Sequence, residues 1–576
     1  MTFQKLIIYC FILCYLGGWK LLAQGNLYSA ADSLAISEMS VEEMQLYQAD
    51  FFPFSLAEKG RQSAPGWRGM PPGFLDYQYE QIPLYNPLWG YWDNQHIPME
   101  LIRNRQVNFS GLSYKLIPVK AAESDLPVTR IAYSQDFQFG FSYLDAVLTT
   151  FYRPKSYFKL SGNNILRDGS AGDLSRFQVN TYRAQFHHHF SARWNIDLFY
   201  WQIRHKFVLT SFPIISDVFH YHRIGQVFWS QLNFQPDSTQ KVILTPYGYK
   251  WGDRYRNNDY SEQRKTEEYS LGLKGAYYKS FQKTDVEVWG DLVRHDITEA
   301  FVFTNRELWN GRTGAKLHRK FGNSWVEVTG GYHYTSETSG ELEFSGSWGI
   351  RPFNFSSSRI SVYQSPRRLS LAALNWAGYG ITSLQNPKLP LGQGASWKLT
   401  LEMGSHIALD IEPYYNKFNN ALAYHVNDSL FFQEDYENTG ILLSFRTKLW
   451  LFELQNDFSY NDNYQESFIP QVNNIAKLNL HLKLLGGALI LDNYVIYHFI
   501  GLWRRLDYIP LVNQYVRTNQ EVGNYHLLDV KILGHIKTAT VFLIWENLAS
   551  QDYALVDNYF EVYRLFRFGV YWTLFD

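Results

Sequence analysis

The sequence predicts an all-β protein: a transmembrane antiparallel β-barrel of about 18–22 strands with a small plug-like region ahead of it. Three observations lead there. From about residue 128 to the end the chain repeats short segments in which apolar and polar residues strictly alternate. Its first residues have the pattern of an export signal. Its load of aromatics, 42 Tyr, 41 Phe and 18 Trp in 576 residues, is far above what a water-soluble core needs.

The alternation is the primary signal, because successive side chains of a strand point to opposite faces. Ala476, Leu478, Leu480, Leu482 and Leu484 interleave with Lys477, Asn479, His481 and Lys483. Trp397, Leu399, Leu401 and Met403 do so with Lys398, Thr400 and Glu402, and Ile407, Leu409 and Ile411 with Asp410 and Glu412. In an exported chain this pattern puts the apolar face to lipid and the polar face to a lumen, with aromatic girdles at the two membrane interfaces. No stretch after the first residues reaches the 18 or more consecutive apolar residues of a spanning helix.

Residues 1–24 have the features of a cleaved signal peptide: Lys5, then the apolar run Leu6 to Leu16, with cleavage expected near Ala23 or Gln24. Both cysteines, Cys10 and Cys14, fall inside it, so the mature chain is expected to hold no disulfide and no thiolate. Loss of Lys5 and Lys20 takes the formal charge from −1 to −3, which gives no footing for nucleic-acid binding. Residues 25–125 differ in texture, with an acidic, helical stretch from Ser37 to Tyr47 and then the Pro/Gly run Ala64–Gly73, which breaks helix and strand alike. Residues 126–576 form the barrel.

Connection lengths orient that barrel, because short turns face the periplasm and long loops the exterior. Leu565 to Phe575 is the closing strand. The segments Asn524–His535 and Lys537–Asn547 meet at a tight turn, as do Ile475–Leu484 and Ala488–Phe499 around Gly486-Gly487. Gly501–Val522 lies between these hairpins and is expected outside, together with Gly162–Phe177, Asp253–Glu267 and Ala377–Gln393.

Three segments resemble known outer-membrane families. Gln81-Ile82-Pro83-Leu84-Tyr85-Asn86-Pro87-Leu88, then Trp92-Asp93 and His96-Ile97-Pro98-Met99-Glu100-Leu101-Ile102, is similar to a plug element of TonB-dependent receptors. Trp545-Glu546-Asn547-Leu548 with Asp552-Tyr553 resembles their penultimate strand. The ending Phe566 to Asp576 resembles the closing strand of Bacteroidota outer-membrane proteins, the porins of that group included. Departures accompany the likeness: Glu80-Gln81 replaces the receptors' Asp-Gly, Arg103 to Val107 replaces their usual plug ending, and no TonB-box is recognisable between Gln24 and Ser40.

The resemblance implies a reduced, divergent plug, with Ile82, Pro83, Asn86, Pro87, Trp89, Tyr91, Trp92 and Asp93 in the lumen. Trp89, Tyr91 and Trp92 would be rings able to stack on a sugar or narrow a pore. It also implies a closing-strand signal for the barrel-assembly machinery in Phe568, Gly569, Tyr571, Trp572 and Phe575. The expected partners are outer-membrane lipid, that machinery, a TonB-type inner-membrane protein and a small-molecule solute. The expected place is the outer membrane. A channel or transporter, porin-like or receptor-like, is the leading expectation, and a structural or secretion-associated barrel the other.

Other clusters carry less. His187-His188-His189 puts only two rings on one strand face, and His220 and His222 share a face, so neither is a full ligand set. Asp285, Glu287 and Asp291 are expected to form a polar lumen stripe. Arg254-Tyr255-Arg256-Asn257-Asn258-Asp259 is expected in a solvated loop. No nucleophile-elbow, zinc-helix, P-loop or dinucleotide motif occurs, so neither catalysis nor a cofactor or metal is expected.

Overall fold

The alternating segments close on themselves. The computed structural model describes residues 30–56, 61–79, 82–98, 104–108, 112–117, 127–167, 176–210, 218–257, 263–300, 307–378, 380–404, 406–557, 559–561 and 564–575. Among these, 22 long antiparallel strands form a closed barrel that begins at Val128–Asp136 and is sealed by Leu565–Phe575 pairing back onto it. That is the top of the expected range. Closure satisfies every edge, which is the condition for placing strands in lipid.

The faces sort as the alternation requires. Leu478 is 41% exposed on the outer wall, while Asn473 and Asn479 are buried behind it. Trp397 and Met403 point out; Lys398 and Thr400 point in and meet Asp410 at 3.1 and 2.5 Å. Connections alternate as well. Residues 154–155, 192–193, 238–239, 282–283, 322–323, 354–355, 450–451 and 537–538 are two-residue turns at one end, and 404–406 and 485–488 complete that row. Exposed rings gather there, among them Phe190, Trp194, Phe321, Phe353, Trp450 and Phe452, as an interfacial girdle.

Two expected loops are shorter than the sequence suggests. Gly162 to Arg167 and Phe177 are still strand, and so are Arg254, Tyr255 and Arg256. At Arg254 and Arg256 the strand runs on past its last outward apolar residue, so its polar outward side chains read as loop. Gly501–Val522 is a long connection as expected, but it carries its own hairpin, Trp503–Ile509 with Gln514–Val522, extended by Ala554–Val556 and Tyr559–Phe560. The expected signal peptide, Glu80-Gln81, Met99 to Arg103 and Asn258-Asp259 lie outside the described residues.

The lumen is occupied. Helices Ala30–Ser37 and Val41–Leu46, and a four-stranded sheet ordered Ile82–Leu84, Asp76–Tyr79, Ser113–Ile117, Asn104–Asn108, pack against inward side chains around the wall. The second helix starts at Ser40, whose Oγ accepts from the Glu43 N–H at 3.3 Å, while Glu43 Oε2 accepts from the N–H of the preceding Met39 at 3.0 Å. The Pro/Gly run threads between plug and wall. Gly69 has φ +78°, and a Cβ there would sit 2.3 Å from Asn438 Nδ2, so only glycine fits.

Candidate functional site

Plug and wall meet through packed rings and through a set of buried polar side chains, and the polar set is the candidate site. The turn after Ile82–Leu84 is shaped by Asn86, whose Oδ1 accepts from the Leu88 N–H at 3.0 Å. Asp93 caps the short 3-10 turn Asn94–His96 by accepting from the Gln95 N–H at 3.0 Å, and also accepts from the Ser63 N–H at 3.1 Å. These local bonds fix which way Trp89, Tyr91, Trp92 and His96 project.

They project into a buried network. Trp89 Nε1 donates to Asp253 at 3.0 Å; Arg223 reaches Asp253 at 3.4 Å, Gln62 at 3.2 Å and Asp93 at 3.9 Å. His96 Nε2 lies 3.1 Å from His205 Nδ1, and His205 lies 3.4 Å from Asp93. From the outer side, Asn513 at the tip of the 501–524 hairpin accepts from Gln62 at 2.6 Å, Tyr91 at 3.1 Å and Tyr508 at 2.5 Å. Asp93, His96 and His205 are the one set of potential metal ligands that converge among the described residues. The Arg223 guanidinium beside Asp93 already supplies the cation, and the set reads as a hydrogen-bonded latch.

Of the residues singled out from the sequence, Ile82, Asn86, Trp89, Tyr91, Trp92 and Asp93 are all buried, Pro87 with them, and Pro83 is half-buried. Trp92 packs at 5.5 Å from Trp201 and 5.3 Å from Trp251. The three rings expected to meet a solute are therefore wedged between plug and wall in this state: Trp89 Nε1 and the Tyr91 hydroxyl find polar partners there, and Trp92 is held by the packed indoles. Pairing with Ala539–Glu546 and Val128–Asp136 holds Phe568, Gly569, Tyr571 and Trp572 in the closing strand; Trp572 is exposed and Gly569 receives the Phe542 ring.

A second clamp comes from the connection 367–390. The Leu371 and Ala372 N–H groups donate to Pro87 O and Leu88 O at 2.8 and 3.0 Å, and Tyr85 donates to Leu369 O at 3.0 Å. Arg367 and Arg312 both reach Asp76 of the plug sheet, at 3.2 and 3.5 Å. Beneath them a cavity of about 960 Å³ runs between the plug and the wall. Asp76, Lys115, Glu287, Asp291, Arg312 and Arg368 line it, and it extends to Ser238 and Thr239 in one of the tight turns. The carboxylate stripe thus partly meets this cavity: Glu287 and Asp291 line it, whereas Asp285 lies 3.4 Å from His318. His187 faces inward onto Asp197 at 2.7 Å, and His188 stacks outward on Tyr152.

Sequence reasoning missed Gln62, His205, Arg223, Asp253, Asn513 and the arginines around Asp76. Each is an isolated polar residue in an alternating strand or loop, and only the closing of the barrel brings them together. His205, Arg223 and Asp253 take inward positions of their strands, Asp253 in a segment expected to be a loop, and nothing local marked them as neighbours.

Burial sets the proton chemistry of the latch. It pushes the His96 ring down to about 3, so the ring is neutral near pH 7. Burial alone would raise Asp93, but the His96 and His205 rings and the Arg223 guanidinium outweigh it and hold the carboxyl below its usual range. Both shifts mean that the undocked plug binds more protons than the docked one. Docking therefore weakens as pH falls from about 6.5 toward 3, by up to about 1.4 kcal/mol per pH unit for His96. Hydrogen exchange of residues 82–98 is expected to speed up between pH 7 and 5, and His96→Gln to flatten that dependence. An exchange rate, corrected for intrinsic chemistry, that ignores pH would overturn this.

Comparison with known proteins agrees with the geometry. The sequence pattern of the family described as "Putative porin" matches residues 393–576. No curated protein matches by sequence. Among solved structures, the FrpB iron transporter of Neisseria meningitidis superposes with a TM-score of 0.76 at 11% identity, covering 95% of this chain and 98% of that one. The ferric enterobactin receptor PfeA of Pseudomonas aeruginosa gives 0.74 at 8% identity, over 93% and 97%. The siderophore receptor PirA of Acinetobacter baumannii gives 0.74 at 9% identity, over 93% and 96%. The chain thus has the 22-strand barrel fold of the TonB-dependent siderophore receptors, and over residues 393–576 it is similar to the porin family.

Proposed function

We propose that this chain is an outer-membrane transporter for a small solute, in which residues 25–125 act as a plug that must move before the solute passes. After export, with residues 1–24 removed, the aromatic closing strand would be what the barrel-assembly machinery recognises. The observation that carries the reading is the character of the plug–wall contact. Gln62, Asp93 and His96 meet Asn513, Arg223 and His205 through hydrogen bonds and ion pairs. These bonds lie among packed rings shared by plug and wall, and each can be exchanged for a bond to water when the plug moves.

An occupied lumen favours gated passage over an open porin. Barrels of 16–18 strands leave an aqueous channel, whereas 22-stranded transporters carry a plug. The about 960 Å³ cavity supports a route along the wall lined by Asp76, Arg312 and Arg368, with a TonB-type inner-membrane partner supplying the pull. The structures it resembles are described as an iron transporter and siderophore receptors. This supports a receptor-like mode of passage and leaves the solute defined only by size.

The test is uptake of a panel of small solutes, ferric chelates included, by cells with and without the chain, before and after collapse of the inner-membrane proton gradient. Uptake that needs both the chain and the gradient is expected. Uptake indifferent to the gradient would make the protein a passive porin. No chain-dependent uptake of any solute would leave the structural barrel.

A further inference from the structure

The connection 501–524 goes deeper into the barrel than a cover needs to. Its hairpin strands, Trp503–Ile509 and Gln514–Val522, belong to a four-stranded sheet with Ala554–Val556 and Tyr559–Phe560. That sheet holds the hairpin without help from the tip. The tip between the strands, Pro510 to Asn513, reaches the plug, and Val512 and Asn513 are wholly buried there. Leu511 packs on the core that plug and wall share. Connections ordinarily run over the surface, so a tip buried this far inside marks a specific seat.

The seat is built of hydrogen-bond donors. On the plug, Gln62 Nε2 and the Tyr91 hydroxyl donate to Asn513 Oδ1 at 2.6 and 3.1 Å, and the Tyr508 hydroxyl of the hairpin itself adds a third bond at 2.5 Å. On the wall, the Tyr221 hydroxyl donates to the Pro510 carbonyl. The direction of Gln62 is fixed: its Oε1 accepts from Arg223 at 3.2 Å, so its Nε2 faces the tip. Rings stand at the sides. Tyr515 lies 6.4 Å from Tyr91 and 5.1 Å from Tyr508, and Phe207 stacks on Tyr221 at 4.8 Å. What these groups recognise is a main-chain carbonyl followed, three residues on, by a side-chain acceptor.

The tip fills this seat imperfectly. Three donors crowd onto one oxygen, while Asn513 Nδ2 is buried and meets no acceptor among the described residues. A buried donor left unsatisfied is costly. Asn513 also holds φ at +52°, in the left-handed region that disfavours a residue with a Cβ. A separate chain offering the same two oxygens in a relaxed conformation escapes both penalties. Its arrival would lift the tip from Gln62, and Gln62 is bonded to Arg223 of the latch, so the exchange is felt at the plug.

We infer that the tip Pro510–Asn513 is a built-in occupant of a seat for a short peptide, and that such a peptide, carrying a side-chain acceptor, is the class of solute the barrel takes from outside. The seat is bonded to a peptide turn in this structure, through a backbone carbonyl and a side-chain amide, and a peptide is the solute that supplies both. The inference names the cargo of the transport reading and rests on it for passage, though not for binding.

The test uses the full mature chain in detergent and two end-blocked tetrapeptides: Pro-Leu-Val-Asn, which copies the tip, and Pro-Leu-Val-Ala, which lacks the side-chain acceptor. An oligosaccharide and a ferric chelate of similar mass are the controls. Peptide binding is titrated, and hydrogen exchange of residues 503–522 follows the tip. Pro-Leu-Val-Asn is expected to speed exchange at the tip, and Pro-Leu-Val-Ala to bind about tenfold more weakly. A chain with two glycines in place of residues 510–513 should bind Pro-Leu-Val-Asn at least about tenfold more tightly than wild type, because no internal occupant competes. Asn513→Ala, which leaves the hairpin strands as they are, should shift the affinity the same way and serves if the glycine tip misfolds. Equal affinity of wild type and both variants would overturn the inference, since the peptide would then bind elsewhere. So would equal binding of the two peptides, or displacement of the tip by the oligosaccharide or the chelate as readily. Uptake by cells separates this inference from the transport reading. Peptide that displaces the tip but never enters cells would keep the seat and refute transport. Chain-dependent uptake of another solute, with the tip unmoved by peptide, would refute the seat and keep transport.

Discussion

Deleting residues 25–125 from the mature chain should turn a silent protein in a planar bilayer into a steadily conducting one. The intact lumen is occupied by the buried side chains of the plug, from Met39 to Leu116. What remains after deletion is a closed ring of 22 strands whose inward face is rich in Asn, Asp, Arg and Glu. Such a face wets, and the ring is wider than those of 16–18-stranded porins, which already conduct. The truncated chain should therefore pass more current than a porin of that size measured beside it. A steady current through the intact chain would mean that the plug is only a constriction. Silence from a correctly inserted truncation would mean that the loops seal the barrel by themselves.

The second large effect is expected from Arg223→Ala. This side chain is 2% exposed and is the cation between Asp253 on the wall and Asp93 on the plug, with Gln62 as a third partner. Removing it leaves two carboxylates in a dry interface with no guanidinium between them. Breaking a buried pair from one side costs about 3–5 kcal/mol. The strands around it are held by their own ladder, so the loss falls on plug docking. Hydrogen exchange of residues 61–98 should rise by about two to three orders of magnitude, and the intact protein should show brief openings in a bilayer. Adding Asp253→Ala should restore part of the loss by removing one stranded charge. If the double variant is no better docked than the single, the coupling between these groups is not what holds the plug.

The latch and the clamps explain how a polar contact holds a plug without fixing it for good. Each bond replaces one that water would supply, so its net contribution is small, while a broken partner left dry is costly. The plug is thus stable as long as the interface stays closed as a unit. A pull that begins at one end and lets water in would convert each remaining bond to a hydrated one. The hairpin tip at Asn513 and the helix Leu371–Asn375 press on the plug from the outer side, so a solute that displaces either loop would loosen the same network.

The barrel was legible in the sequence because its determinant is local. A strand with one face to lipid must alternate, and this chain does so at Ala476 to Leu484, at Trp397 to Met403 and in the closing strand Leu565–Phe575, whose bounds agree with the structure. Short and long connections alternate for the same reason, as expected. The plug residues Ile82 to Asp93 could be placed only through their resemblance to a known element, and their periodicity said nothing of where they dock. Strand ends were misjudged at Arg254 to Arg256, since a strand that leaves the membrane loses its apolar face before it loses its hydrogen bonds.

What the sequence by itself determined is therefore the barrel, its polar inward face and its aromatic ends, because pairs two residues apart fix them. Only the tertiary structure decided that His205, Arg223 and Asp253 face His96, Asp93 and Trp89, and that Asn513 reaches Gln62. Those neighbours lie from about a hundred to several hundred residues apart in the chain. Register and closure, which no local window of sequence contains, are what set them side by side.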